Sequence, residues 1–334
     1  MGEYGKTWYN ERMIKLVITE NEDKQRLDRF LKKYLKNASL SYIYKLIRKD
    51  IKINGKRGSA ETVLVQGDEL SLYMTEEDLA SLTAVKKDQK AKRQFNIAYE
   101  DEQLLVAEKP FGLLTHGDST EKKNHLANQV ISYLIEKGDY RPDRERTFVP
   151  SPVNRLDRNT TGLVMFGKNS SSLQTLNKMI REKGYVSKYY LTIVAGELKE
   201  GLILQDKMEK DGRKNMVRVM PMEEEGGKVM ETIARPLIWK NGYTLVEVEL
   251  VTGRTHQIRA HLAGAGYPVI GDTKYGDPSV NRRIEKRFRL TTQFLHAYKL
   301  SFHEADEPLQ YMIGKDIEGR LPKNLEDIRQ ELFD

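Results

Sequence analysis

The sequence predicts an α+β fold in two parts: a small helix-helix-hairpin domain over residues 14–74 and, after a linker over 75–95, a larger domain over 96–334 built on a mixed, largely antiparallel sheet. Three observations predict it. The chain has 334 residues, more than the ~250 to 300 at which a single hydrophobic core usually stops growing. Apolar residues near the N-terminus recur at helical spacing twice and then switch to alternation. Beyond residue 96, short alternating segments separated by turns outnumber helical ones, and strands joined by short turns favour antiparallel pairing.

The elements follow in order. Leu27, Phe30, Leu31, Tyr34 and Leu35 fall at i, i+3, i+4, i+7 and i+8, one face of a helix. A second helix carries its buried stripe on Ile43, Leu46 and Ile47, and Ser39 or Ser41 can cap it by accepting a free backbone N–H. Ile51 and Ile53 alternate into Asn54-Gly55, a tight-turn pair because both residues tolerate positive φ. Val63, Val65, Leu70 and Leu72 are expected to continue the strand period. Residues 75–95 hold few apolar anchors and end in a lysine-rich run, so they are expected to form a flexible tether that raises the small domain's effective concentration near a shared target. In the larger domain, Leu104–Ala107, Leu163–Phe166, Tyr189–Val194, Met216–Met220 and Thr244–Leu250 are candidate strands, and Asn124–Lys137 and Ser170–Arg181 candidate helices.

Composition narrows the function classes. The chain has no cysteine, which excludes disulfides, thiolate metal sites and cysteine nucleophiles and suits a reducing cytoplasm. The charged N-terminal stretch lacks the apolar core of a signal peptide, and no segment approaches the ~20 apolar residues of a membrane helix. A soluble, cytoplasmic protein without a membrane partner is therefore expected. Hydrophobic residues make up 39%, below the usual ~45 to 50%, which implies a folded chain with extensive charged surface. The net charge is +7, but residues 24–57 hold twelve Lys or Arg against Asp28 and Asp50, so that segment carries +10 and the remainder −3. Such concentration of positive charge suits a phosphate backbone; a merely solvated lysine surface is the bland alternative.

Residues 154–162 read NRLDRNTTG and residues 252–261 read TGRTHQIRAH. Asp157 lies between Arg155 and Arg158, whose positive charge favours the ionised carboxylate, and a fixed carboxylate can act as a nucleophile. The first segment resembles the HRLDxxTSG signature of the RluA-type RNA pseudouridine synthases, and Gly253–His261 resembles that family's GRTHQIRxH segment. The similarity extends through EKPFGLLTH at 108–116, SKYYLTIVAG at 187–196 and GYPVIGDTKYG at 266–276. RLDRFLKK and IKINGKR, in the small domain, resemble the alpha-L RNA-binding module found at the N-terminus of many such enzymes.

The resemblance implies a central cleft across the sheet and the isomerisation of uridine in RNA. The bond from ribose to the base nitrogen breaks, the uracil turns, and carbon five joins the sugar. Nothing enters or leaves, so no cofactor and no metal are expected. Asp157 is the implied nucleophile, on the sugar or on the base. Arg259 is its expected partner, since a guanidinium fork matches two carboxylate oxygens. Tyr190 matches the family's active-site tyrosine, able to stack on the extruded uracil and to handle the proton lost from carbon five. Tyr189 should point to the other face by strand alternation. Arg155, Arg158, Arg254 and Lys109 are candidates to hold the RNA backbone while the base is flipped, and Arg29, Lys32, Lys33, Arg48 and Lys49 are the corresponding candidates in the small domain. Gly162, Gly253 and Gly112 are expected at turns or close backbone approaches.

One position departs from the pattern: Asn154 stands where the family usually has histidine, and an asparagine cannot take up a proton near pH 7. Rival chemistries lack their residues. A glycoside hydrolase normally needs a second carboxylate, and none lies in TGRTHQIRAH or beside Tyr190. His256 and His261 lack the HExxH spacing of a zinc helix, and no GxxxxGK[ST] phosphate loop is present. A non-catalytic RNA-binding or ribosome-assembly factor on the same scaffold is the alternative from another class. The full-length match resembles synthases of large-subunit ribosomal RNA, 23S in bacteria, while relatives with the same motifs act on tRNA. Since one chain supplies a complete set of motifs, a monomer is expected.

Overall fold

The computed structural model describes residues 13–84, 91–211 and 216–334. The chain divides into two compact units, one formed by the described residues up to 84 together with Leu134–Val149, the other by Ala91–Tyr133 and Pro150–Asp334.

The smaller unit contains β1 (Met13–Val17), α1 (Leu27–Tyr34), α2 (Leu40–Lys49), β2 (Ile51–Ile53), β3 (Glu69–Tyr73) and α3 (Glu76–Thr83). Its strands form an antiparallel sheet in the order β1-β3-β2. Leu27, Phe30, Leu31 and Leu35 from the first helix and Ile43, Leu46 and Ile47 from the second are buried in one cluster with Ile51, Leu70 and Leu72; each such side chain contributes about 1.5–3 kcal/mol by leaving water. The Ser39 hydroxyl caps α2 by accepting the Tyr42 N–H at 3.3 Å. Asn54 and Gly55 both take positive φ, closing a turn in which Ile53 and Lys56 exchange backbone hydrogen bonds of 2.8 and 2.9 Å. The returning strand is shorter than expected. Val63 and Val65 lie outside it and are exposed, because the chain turns again at Gly67-Asp68 before pairing begins.

The predicted tether is in part a helix. Thr75 caps α3 by accepting the Asp78 N–H at 3.1 Å, and Leu79 and Leu82 pack against the small unit's core. The Asn37 side chain donates to the carbonyls of Ser81 and Ala84, both at 3.0 Å. Two apolar residues three apart sufficed once a capped turn aimed them at a core. Residues 85–90 of the expected tether lie outside the described residues. A second difference concerns 134–149, which were expected in the larger domain but bond to the small unit. Asn21 Nδ2 donates to Glu145 Oε2 at 2.9 Å and Arg146 Nη1 to the Val17 carbonyl at 2.6 Å. Among the described residues no helix is long and apolar enough to cross a membrane.

The larger unit is organised by one sheet of β4 (Asn96–Glu100), β5 (Leu104–Lys109), β6 (Ser151–Pro152), β7 (Thr161–Gly167), β8 (Val186–Ala195), β9 (Leu202–Asp211), β10 (Met216–Met220), β11 (Lys228–Lys240), β12 (Tyr243–Leu250), β13 (Leu295–Phe302) and β14 (Asp316–Glu318). The order is β10-β9-β11-β12-β8-β13-β7-β5-β4, with β14 on β13 and β6 on β7. Among the described strands β7 and β13 are the one parallel pair. There Gly162 lies opposite Ala297, and a Cβ on it would come within 2.1 Å of the Ala297 carbonyl oxygen. Only glycine allows that approach. The helices are α4 (Leu126–Lys137), of which residues 126–133 belong to this unit, α5 (Ser170–Arg181), α6 (Gln257–Gly264), α7 (Pro278–Phe288) and α8 (Lys323–Phe333). Leu176 and Met179 of α5 pack with Leu163 and Met165 of β7 in one cluster, and α7 and α8 bury Val280, Ile284, Leu325, Ile328 and Leu332 in another. The expected α+β fold with a largely antiparallel sheet is thus present. It sets the loop before β7, strand β8 and the start of α6 around one cavity.

Candidate active site

Asp157 lies in the loop between β6 and β7, in a turn closed by the Thr160 N–H on the Asp157 carbonyl at 3.1 Å. Neighbouring residues brace that loop. Thr115 Oγ1 donates to the Leu156 carbonyl at 3.1 Å and lies 3.2 Å from the Leu156 N–H. The Lys109 ammonium donates to the carbonyls of Pro110, Leu113 and Arg158 at 3.1, 2.8 and 2.9 Å. Lys109 is buried, and burial pushes its pKa down to about 7 against the opposing charge of Asp157. The expectation that Lys109 meets an RNA phosphate is therefore corrected: its donors are spent on carbonyls, and it ties the peptide after Asp157 to the turn after β5. Asn154 is engaged likewise. Its amide donates to the Leu163 carbonyl at 3.1 Å and accepts the Met165 N–H at 2.9 Å, which extends the β7 hydrogen-bond pattern by one side chain.

Arg259 enters from α6. Its Nη1 lies 3.2 Å from Asp157 Oδ2, while Nε and Nη2 grip both oxygens of Asp272 at 2.6 and 2.8 Å. Asp272 Oδ1 also accepts the backbone N–H groups of Lys274 and Tyr275. Burial disfavours charge on both partners, but their mutual bonds and charges overcome it, holding the Asp272 pKa below the ordinary carboxylate value and that of Arg259 above the ordinary arginine value. The guanidinium also lies over the Tyr275 ring, 5.3 Å from its centroid. Gln257 secures the loop before the helix: its Oε1 accepts the Arg254 N–H and the Thr252 hydroxyl, and its Nε2 donates to the Glu231 carbonyl and to Thr232 Oγ1.

At the helix entrance His256 takes the left-handed conformation with φ of 53°, which is uncommon outside glycine and occurs where surrounding structure enforces it. Its Nε2 lies 3.9 Å from Asp157 Oδ2 and its Nδ1 3.0 Å from the Tyr275 hydroxyl. That hydroxyl accepts the Val217 N–H at 2.8 Å, which leaves its own proton free for the imidazole. Burial lowers the His256 pKa, opposed by the charge of Asp157.

Asp157, His256, Gln257 and Arg259 line a cavity of about 230 Å³ together with Asn154, Arg155, Lys188, Tyr190 and Arg254. Tyr190 is 5% exposed, on the centre of β8 between Val248 of β12 and Ala297 of β13. Burial raises its hydroxyl pKa above the usual phenol value, and the Asp157 charge adds to the shift. Tyr189 is absent from the cavity wall and lies under the Lys299 ammonium, as alternation along a strand requires. The structure thus brings Asp157, Tyr190 and Arg259 together. Arg155, Arg158 and Arg254 are exposed; Arg155 and Arg254 line the cavity, while Arg158 turns towards Asp118 at 3.6 Å and Thr120 at 3.4 Å. In the small unit Arg29, Lys32, Lys33, Arg48 and Lys49 are all exposed. Sequence reasoning missed Asp272, His256, Tyr275 and Lys188. Asp272 and Tyr275 lie in the block GYPVIGDTKYG, and Lys188 is two residues before Tyr190, where alternation puts it on the same face.

Residues 103–264 match the family described as RNA pseudouridylate synthase. The chain is 34% identical over 335 residues to a ribosomal large subunit pseudouridine synthase C from Vibrio vulnificus, covering 97% of this chain and 98% of the relative. It is 35% identical over 298 residues to the Escherichia coli protein of the same name, covering 86% and 88%. A solved structure of the human RNA pseudouridylate synthase domain containing 4 shares the fold at a TM-score of 0.53 and 20% identity, over 70% of this chain and 93% of that one. With relatives of this identity aligned along nearly its whole length, and with the five sequence blocks meeting in one unit of that fold, the chain belongs to the RNA pseudouridylate synthase family.

Proposed function

We propose that this pseudouridine synthase isomerises specific uridines of large-subunit ribosomal RNA, with Asp157 as the nucleophile. The observation that carries this is the Asp157 carboxylate, held 3.2 Å from Arg259 Nη1 in a cavity walled by Tyr190. Because the cavity is concave and small, the target base must leave its helix to enter, at about a few kcal/mol of unstacking. The Tyr190 ring offers the extruded uracil a stacking face, and its buried hydroxyl stays protonated at neutral pH, so it relays a proton and does not act as a standing base. Arg259 keeps the carboxylate aimed. Bound on three donors to two carboxylates, it cannot swing away without leaving Asp272 buried and unpaired. After the sugar–nitrogen bond breaks, the cavity retains the uracil while it turns. Carbon five then bonds to the sugar and loses its proton, and the freed ring nitrogen gains one, so mass is conserved.

The exposed cations of the small unit, Arg29, Lys32, Lys33, Arg48 and Lys49, supply a sequence-independent grip on RNA phosphates, and Arg155, Arg158 and Arg254 steady the backbone near the flipped nucleotide. The enzyme works as a cytoplasmic monomer, since one chain supplies every group of the site. That the similar proteins from Vibrio vulnificus and Escherichia coli are ribosomal large subunit pseudouridine synthases supports ribosomal RNA over tRNA as substrate. Two measurements test the proposal. Asp157→Asn abolishes isomerisation while RNA affinity stays within a few fold; pseudouridine forming at the normal rate would sink the nucleophile. Carbodiimide mapping of total RNA with and without the gene shows loss of a large-subunit site; loss of a tRNA site would move the substrate, and loss of none would favour an assembly factor.

A further inference from the structure

The cavity wall carries more positive charge than its one carboxylate can balance. Among the lining residues Asp157 is that carboxylate, and Arg259 already engages it. Arg155 and Lys188 form no hydrogen bond or ion pair among the described residues, and Arg254 Nε meets only the Val229 carbonyl at 3.3 Å. Lys188 is the unusual one. It is half-buried on β8 opposite Leu300, among the apolar lining residues Val153, Ile180 and Leu250. Its neighbours face away: Ser187 bonds to Glu249 and His303, and Tyr189 lies under Lys299. Desolvation alone lowers its pKa, and among the described residues no carboxylate is near enough to oppose it. An ammonium drawn out of water with no partner is costly, and a lysine that braced the fold would have one, as Lys109 does.

We propose that Lys188 is the inner contact of a phosphate subsite, which takes the phosphodiester of the target uridine as that nucleotide enters the cavity. It shares a face with Tyr190, two residues along the strand, so one nucleotide can place its base against the tyrosine and its phosphate against the lysine. A phosphate supplies the missing counter-charge, and a lysine binds it as a compact point charge. The subsite rests on the proposed use of this cavity for a flipped uridine and adds to it that the phosphate, as well as the base, is gripped inside.

Binding of uridine and of uridine 5′- and 3′-monophosphate to the full-length Asp157→Asn protein, with and without Lys188→Met, tests this without turnover. Lys188 present, one monophosphate binds roughly tenfold to a hundredfold tighter than uridine, as a charge-assisted hydrogen bond predicts; with Lys188→Met the preference disappears, and Lys188→Arg restores it. With ribosomal RNA as substrate, Lys188→Met in the otherwise unaltered enzyme raises KM with kcat within about threefold, and the slope of log affinity against log salt falls by about 0.7, one phosphate's worth on a single strand. Equal binding of nucleoside and both nucleotides by the Lys188 protein overturns the subsite. So does an unchanged KM with a fallen kcat and a displaced pH profile, which would make Lys188 a proton carrier. If the unaltered enzyme forms no pseudouridine in ribosomal RNA, the substrate assignment fails, while the nucleotide preference still decides the subsite.

Discussion

Asp272→Asn isolates the group that holds Arg259. Asp272 is fully buried, and its Oδ1 accepts Arg259 Nη2 and the Lys274 and Tyr275 N–H groups, while Oδ2 accepts Arg259 Nε. An asparagine with its carbonyl in the Oδ1 position keeps the backbone bonds but turns an amide N–H against the Arg259 Nε–H. The guanidinium keeps only its single contact to Asp157 and is left buried without the carboxylate that two of its donors grip, which costs up to roughly 3–5 kcal/mol. At about 2–4 °C per kcal/mol for a unit of this size, the melting temperature falls by up to roughly 6 to 20 °C. Arg259, no longer held on two donors, ceases to aim at Asp157, and kcat falls with it. Adding Arg259→Met removes the donor clash and the stranded charge, so the double variant regains part of the lost stability but none of the activity. The pH dependence has a definite sign. Because the folded pKa of Asp272 is held below the unfolded value, its contribution is complete above about pH 4 and is lost as pH falls through the folded value; Asp272→Asn removes that acid-side loss. Thermal melts between pH 3 and 7, with kcat on ribosomal RNA, measure all of this. An Asp272→Asn protein that melts within 2 °C or so of the parent with unchanged kcat would refute the claim that this pair positions Arg259.

Three further outcomes follow from the same contacts. Neutralising Lys32, Lys33, Arg48 and Lys49 together weakens RNA binding and lowers the salt slope by about 3, at roughly 0.7 per phosphate contact on a single strand, with kcat at saturation unchanged; filter binding across salt concentrations checks it. Asn154→Ala breaks the two bonds to β7 and costs about 1–3 kcal/mol in a urea melt, whereas Asn154→His, which keeps a donor and an acceptor, leaves kcat within a few fold. Burial lowers the His256 pKa below the ordinary histidine value; on acidification through that lowered pKa it charges and competes with Arg259 for Asp157 Oδ2, so the rate falls on the acid side, and His256→Gln removes that limb of the pH–rate profile.

What could be read from the residues alone, and what could not, divides by the range over which the cause acts. Helix α1 announces itself because its buried face is written in Leu27, Phe30 and Leu31 at helical spacing, and the turn at Asn54-Gly55 because both residues tolerate positive φ. Helix α7 carries only Val280 and Ile284 as buried residues on an otherwise charged surface, so its apolar period is faint; the cap at Asp277 with Pro278 behind it was the available signal. β9 leaves Ile203 72% exposed, which blurs the alternation that would have marked it. In the active site the same division holds. Asp157 and Arg259 sit in motifs that resemble a family, so a separation of 102 positions was no obstacle to pairing them. Asp272 stands in a turn-like GDTKYG stretch where an aspartate ordinarily faces water. Nothing local says that folding will bury it under a guanidinium from another helix. Its burial is a tertiary event: the chain must close a sheet and pack α6 against the following turn before the two charges meet. The group that holds Arg259 is thus the least legible of the set, because both its cost and its compensation exist only in the folded state.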